Sequence, residues 1–116
     1  MFTPWGKADF IYTLAPGITS VSTPSHGGLH LDKEHMNRLP ASYHAANFLG
    51  ADSPWFEEDC SWTLPHTYFE AEIRAYAESR PHDPNTPYTL KNLDMAHEIL
   101  QRWYPDLGAK YDLPTL

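Results

Sequence analysis

Alternation between two faces marks a short stretch near the N-terminus, and helical spacing marks several segments of the second half of the chain. From Asp9 to Leu14 the pattern puts Phe10, Tyr12 and Leu14 on one face of an extended segment and Ile11 and Thr13 on the other, which predicts a strand. Ala15-Pro16-Gly17 is a turn signal, because proline presets φ at one turn position and glycine accepts positive φ at the next. Ile18 to Thr23, rich in β-branched residues, predicts a second strand that pairs with the first as a hairpin. Pro24 to Gly28 interrupts the pattern, and Gly28-Leu29-His30-Leu31 predicts a short third strand with its leucines inward.

Asp32 caps a short predicted helix that runs to Arg38 and is stopped by Pro40. Ser42 to Leu49 is ambiguous, and Gly50 to Pro54 is a loop. Ser53-Pro54 has the chemistry of a helix start, with Ser as N-cap and Pro at the first helical position, where its missing N–H costs nothing. In that helix Phe56, Cys60 and Leu64 line one face, Trp55, Asp59 and Trp62 line a neighbouring one, and Pro65 ends or kinks it. Glu57 and Glu58 then fall in or near the first turn, where the helix dipole favours acids.

Thr67-Tyr68-Phe69-Glu70 reads as a capping box for a helix that packs Phe69, Ile73 and Tyr76 and carries an exposed Glu70/Arg74 pair. Arg80 to Tyr88 contains three prolines and reads as a loop. Leu90 to Trp103 predicts a final helix with Leu93, Ala96, Leu100 and Trp103 on one stripe, ended by Tyr104-Pro105. Strands precede helices, so the predicted fold class is α+β: a small antiparallel sheet of about three N-terminal strands covered by three to four helices.

Composition narrows the classes. A chain of 116 residues makes one domain, 1–116, and eleven prolines favour a loop-rich fold over a bundle of long helices. No apolar run approaches the roughly 18 residues of a membrane span. The segment from Met1 to Lys7 lacks the pattern of a secretory signal. The lone Cys60 cannot close an internal disulfide and fits a reducing compartment, so the expected location is cytoplasmic.

The net charge of -7 is unevenly placed. Between Arg38 and Arg74 there is no Lys or Arg, yet the stretch holds Asp52, Glu57, Glu58, Asp59, Glu70 and Glu72, six of the fifteen acids. The rest of the chain sets nine acids against eight bases. Direct binding to nucleic acid is disfavoured, because that affinity comes mainly from Lys and Arg neutralising phosphates.

Candidate chemistry is sparse. His26, His30 and His35 are spaced by four and five, but in an extended chain His26 and His30 lie roughly 13 Å apart, too far for one ion to bridge. There is no HExxH, CxxC or EF-hand loop, and no cofactor or metal is expected. Adjacent helical residues project about 100° apart, so the Glu57-Glu58-Asp59 trio does not converge on one point. Cys60 has no histidine at helical spacing and reads as a small hydrophobe. Gly27-Gly28 lacks the fingerprint of a dinucleotide fold or a P-loop and reads as a backbone requirement, either positive φ or close approach to a packed tryptophan.

Five segments recur in a recognisable order: "TPWGKAD" from Thr3, "APGI" from Ala15, "STPSHGGLHL" from Ser22, "WFEEDCSW" from Trp55 and "WYPD" from Trp103. Together they resemble an uncharacterised domain family of phage and plasmid proteins. The resemblance implies a mobile-element origin and no mechanism. The segment "TLPHTYFEAEI" after Trp62 departs from the family's more continuous apolar run there.

The expectation that follows is a binding protein that inhibits a host defence complex by occupying a basic, nucleic-acid-binding surface, with CRISPR surveillance complexes as a natural target. Its expected partner-binding residues are Asp52, Trp55, Glu57, Glu58, Asp59, Trp62, Glu70 and Glu72: carboxylates complement Lys and Arg, and interleaved aromatics anchor. Neither nucleic acid nor a membrane is an expected direct partner. The alternative is a metal-dependent hydrolase or nuclease-like enzyme using His26 with Glu57, Glu58 or Asp59. A module that assembles with copies of itself is a third class.

Overall fold

The computed structural model describes residues 1–105 and Leu107. Its fold is α+β, with mixed helices and antiparallel sheets. A two-residue turn, Pro4-Trp5, joins β1 (Phe2–Thr3) to β2 (Gly6–Lys7) in a two-stranded sheet. The Thr3 hydroxyl pins it by donating to the Gly6 carbonyl and accepting from the Trp5 N–H. The main sheet has four strands, β3 (Phe10–Ala15), β4 (Ile18–Ser22), β5 (Gly27–Leu31) and β6 (Trp55–Glu57), in spatial order β3-β4-β5-β6 and antiparallel throughout. The helices are α1 (Lys33–Arg38), α2 (Ala41–Ala46), α3 (Thr63–Tyr68), α4 (Glu70–Glu78) and α5 (Thr86–Trp103). Among the described residues no helix is long and apolar enough to cross a membrane.

The three N-terminal strands and the Asp32 cap form where the sequence places them, the Asp32 Oδ1 accepting the His35 N–H at 2.9 Å. The second sheet and the fourth strand are corrections to a single three-stranded sheet. The main correction is Trp55 to Glu57, read as helix and found as edge strand β6. Leu29 pairs with Phe56 and His30 with Trp55, so the open edge of β5 recruits these residues, and Phe56 enters the core fully buried. The Ser53 hydroxyl does accept the Trp55 N–H, at 3.1 Å, but the chain then extends instead of coiling. Trp55 and Glu57 are half-buried around the buried Phe56, a period of two that the helical spacing of Phe56, Cys60 and Leu64 conceals.

Pro65 neither ends nor kinks a helix. It sits in the first turn of α3, where no backbone N–H is needed. Thr67 is buried inside α3 rather than capping α4, and Glu70 is also buried, bonded to the Arg74 Nε at 2.5 Å. The predicted exposed pair is therefore half hidden. Helix α5 starts at Thr86, with Pro87 in its first turn, so the preceding loop is shorter than Arg80 to Tyr88; Asp83 in that loop accepts the Tyr12 hydroxyl at 3.0 Å. Leu93, Ala96 and Leu100 are fully buried, but Trp103 at the end of the stripe is 58% exposed. In "WYPD", Asp106 lies outside the described residues.

Two close approaches hold the sheet to its surroundings. Gly28 has ordinary φ, but a Cβ there would overlap the Phe56 carbonyl and the ring of Trp5, so the glycine allows the β1–β2 turn to lay Trp5 on the sheet. Trp5 then meets Trp55 edge-on, ring centroids 5.9 Å apart. Gly17, at φ +90°, supplies the turn between β3 and β4, and a side chain there would strike the Asp32 carboxylate and the His35 ring.

That second approach seats an ionic cluster around the buried His35. His35 is sandwiched between the Asp32 Oδ1 at 2.6 Å and the Glu72 Oε2 at 2.5 Å, and Arg38 also holds Glu72, at 2.9 Å. This ties α1 to α4. Burial alone would lower the His35 pKa, but the hydrogen bonds to Glu72 and Asp32 outweigh it and hold the imidazole above its usual value. Glu72, which burial would raise, is held low by His35 and Arg38, and Asp32 is held low by the His35 backbone N–H and ring.

Two predictions follow from these contacts. Gly28→Ala should lower the melting temperature by roughly 5–10 °C, the usual cost of overpacking against backbone that cannot yield; an unchanged melt would show that Trp5 does not sit on β5. A histidine raised above its unfolded value contributes its full stability below about pH 6.5 and loses it as pH climbs through the folded pKa. The melting-temperature gap between wild type and His35→Gln should accordingly narrow as pH rises from about 6.5 to about 9. A gap that stays constant over that range contradicts a protonated His35.

Candidate functional site

The acid-rich segment does not form one surface. Glu70 folds onto Arg74, and Glu72 is spent on His35 and Arg38, so these two predicted partner residues belong to the framework of α4. The other six lie along β6 and its flanks. Asp52 is exposed in the loop before the strand; Trp55 and Glu57 point to the sheet face that Trp5 covers; Glu58 and Asp59 are exposed in the turn that follows; Trp62 is the residue before α3. The Glu57 Oε1 accepts the Asp59 N–H at 3.1 Å, which bends the turn and leaves Glu58 facing the other way.

Glu58 and His26 meet. The Glu58 N–H bonds the Gly27 carbonyl at 3.0 Å, continuing the β5–β6 ladder by one residue, and the His26 Nδ1 stands 3.6 Å from the Glu58 Oε1. A Cβ on Gly27 would press on the Val21 carbonyl and on Glu58, so glycine at this position admits the carboxylate. His26 is thus brought to one member of the trio and not to all three. Among the described residues no three His, Cys, Asp or Glu side chains gather as a metal-holding group.

Behind Glu58 lies a cleft of about 360 Å³ between the sheet, α3 and α5. Pairing of Tyr12 with Ser20, Ser20 with Leu29 and Leu29 with Phe56 puts Ser20 on the helix-covered face, and alternation puts Ser22 there too. Both serines line the cleft with Glu58, Trp62, His66 and Asn92. His66 is only 3% exposed. Its Nδ1 donates to the Trp62 carbonyl at 3.1 Å, its ring meets the Trp62 indole edge-on at 4.8 Å, and its Nε2 is buried without a hydrogen-bond partner. Burial pushes this imidazole down to about 4, so it is neutral.

Ser20, Ser22, His66 and Asn92 carry no signature in the sequence. The one available signal was the hydroxyl at alternate positions of "ITSVS", on the same strand face as Ile18. Four of the five motif segments, by contrast, gather around this end of the sheet, with Trp5 on Gly28, His26 by Glu58, and the Tyr104 hydroxyl within 3.3 Å of the Ser61 Oγ and 3.5 Å of the Cys60 Sγ, while Ala15 to Ile18 turns the chain at the other end.

No curated protein and no solved structure matches the chain. One family model, described as "Domain of unknown function (DUF7007)", matches residues 1–112, nearly the whole length. The chain belongs to this uncharacterised domain family, DUF7007.

Proposed function

We propose that the protein is a binding protein that sets its acidic β6 edge against a basic, nucleic-acid-handling surface of a host protein complex, a defence complex in the first instance, and inhibits it by occupying the place of phosphates. One observation carries this reading. Among the described residues, Glu34, Glu70, Glu72, Asp83, Asp94 and Glu98 each lie within salt-bridge range of an arginine, whereas Asp52, Glu57, Glu58 and Asp59 have no Lys or Arg in range. Asp9 and Glu78 likewise have no Lys or Arg in range, and Asp32 pairs with His35 alone, but only the four acids about β6 stand together, within eight residues of one another. Clustered carboxylates steer association with a Lys/Arg surface and make it salt-sensitive, and the half-buried Trp55 and Trp62 supply anchors beside them.

A second reading, the metal-dependent hydrolase, is favoured by the His26–Glu58 approach at the cleft. It predicts that Mg²⁺, Mn²⁺ or Zn²⁺ raises the melting temperature of the wild type and not of His26→Ala. Identical melts with and without each ion remove it.

The leading reading is tested by capture from host lysate with wild type and an Asp52→Asn/Glu57→Gln/Asp59→Asn variant whose fold is verified by circular dichroism. The expected result is a nucleic-acid-handling complex held by the wild type at low salt, reduced severalfold at about 0.3 M salt, and lost by the variant. Equal retention by both proteins, or capture that salt does not weaken, would sink it.

A further inference from the structure

Hydroxyls on the covered face of a sheet need partners, and Ser20 and Ser22 put theirs on a cleft rather than into packed core. The cleft's donors and acceptors do not balance. The Glu58 carboxylate only accepts, and the nearest basic side chain, His26 with its Nδ1 at 3.6 Å, is beyond hydrogen-bond distance, so the Glu58 oxygens keep their capacity. The inner wall is a histidine whose one N–H is taken by the Trp62 carbonyl and whose other nitrogen is an unmatched lone pair. Ser20, Ser22 and Asn92 serve either role. No Lys or Arg is among the lining residues. An anion finds one carboxylate and no positive charge there. A cation that donates on several sides, with a flat face for the Trp62 indole, finds complements to all three properties.

We propose that the cleft is a guanidinium site that receives one arginine side chain. The guanidinium carries five N–H donors in a planar fork, which suits two parallel bonds to the Glu58 carboxylate, further bonds to the Ser20 and Ser22 hydroxyls, and stacking on Trp62. An ammonium is a point charge without the plane, and a neutral urea has the plane without the charge. The reading of the β6 edge as a docking surface is needed only to say that the arginine comes from the partner; recognition of the guanidinium stands on the cleft.

The test is an amide and indole N–H NMR titration of the full chain with N-acetyl-arginine methylamide, its lysine counterpart, and its citrulline counterpart, which keeps the shape and loses the charge. The arginine probe should give saturable shifts at Ser20, Ser22, Asn92 and the Trp62 indole, with a dissociation constant on the order of 1 mM. The citrulline probe and the Glu58→Gln variant should each bind at least about tenfold more weakly, and the lysine probe severalfold more weakly. Shifts that do not saturate, that citrulline matches, or that Glu58→Gln leaves intact would overturn the proposal. So would shifts shared equally with Glu57 and Asp59 for both cations, the mark of an acidic surface collecting counterions. Because the capture variant keeps Glu58, the cleft fails on these outcomes while the β6 edge stands, and the edge fails on salt-insensitive capture while the cleft stands.

Discussion

Strand β5 can hold its interior place only because two consecutive residues have no side chain. On one face, Gly28 lets Trp5 settle on the sheet and lets the Phe56 carbonyl of β6 come close; on the other, Gly27 makes room for the Glu58 carboxylate. The edge strand, its acidic turn and the covering N-terminal hairpin therefore meet at two adjacent glycines. A Cβ at either would push against backbone oxygen, which cannot swing aside as a flexible side chain can. Gly17 does comparable service at the far end of β4, where the His35 cluster ties α1 to α4 through four charged side chains.

With those constraints met, the acid-rich segment divides by role. Glu70 and Glu72 are turned inward to Arg74, His35 and Arg38 and hold helices together. Asp52, Glu57, Glu58 and Asp59 stay on the β6 edge and, among the described residues, have no Lys or Arg in salt-bridge range, with only His26 near Glu58. An edge strand also exposes unpaired backbone, and charged residues there are a common guard against indiscriminate strand pairing. On the proposed reading, the same charge would favour basic partners over acidic ones.

Much of the fold was legible because its signals are local. The alternation of β3 and β4, the Asp32 cap and the buried run of Leu93, Ala96 and Leu100 in α5 each depend on neighbours in sequence and form as the pattern predicts, Trp103 alone staying exposed. Strand β6 was not legible: three residues suffice for it, and its cause is the open edge of β5, some two dozen residues earlier in the chain. A serine before a proline promised a helix, and long-range pairing overrode the promise. Of the two reasons the sequence offers for the glycine pair, positive φ applies to neither, and close approach to a tryptophan applies to Gly28 alone, Gly27 lying against the Val21 carbonyl and Glu58. The cleft escaped notice because Ser20, Ser22, His66 and Asn92 come from three distant elements, and no spacing rule links them.

The most direct measurement of the central claim is zero-length carboxyl-to-amine cross-linking of the captured complex, read by mass spectrometry. The account predicts links from Asp52, Glu57 or Asp59 to lysines of the partner's nucleic-acid-binding surface, and few from Glu34, Glu70, Glu72, Asp94 or Glu98, whose charge is already matched within the chain. Links that run mainly from the matched acids, with the β6 edge unmodified by the partner, would contradict it.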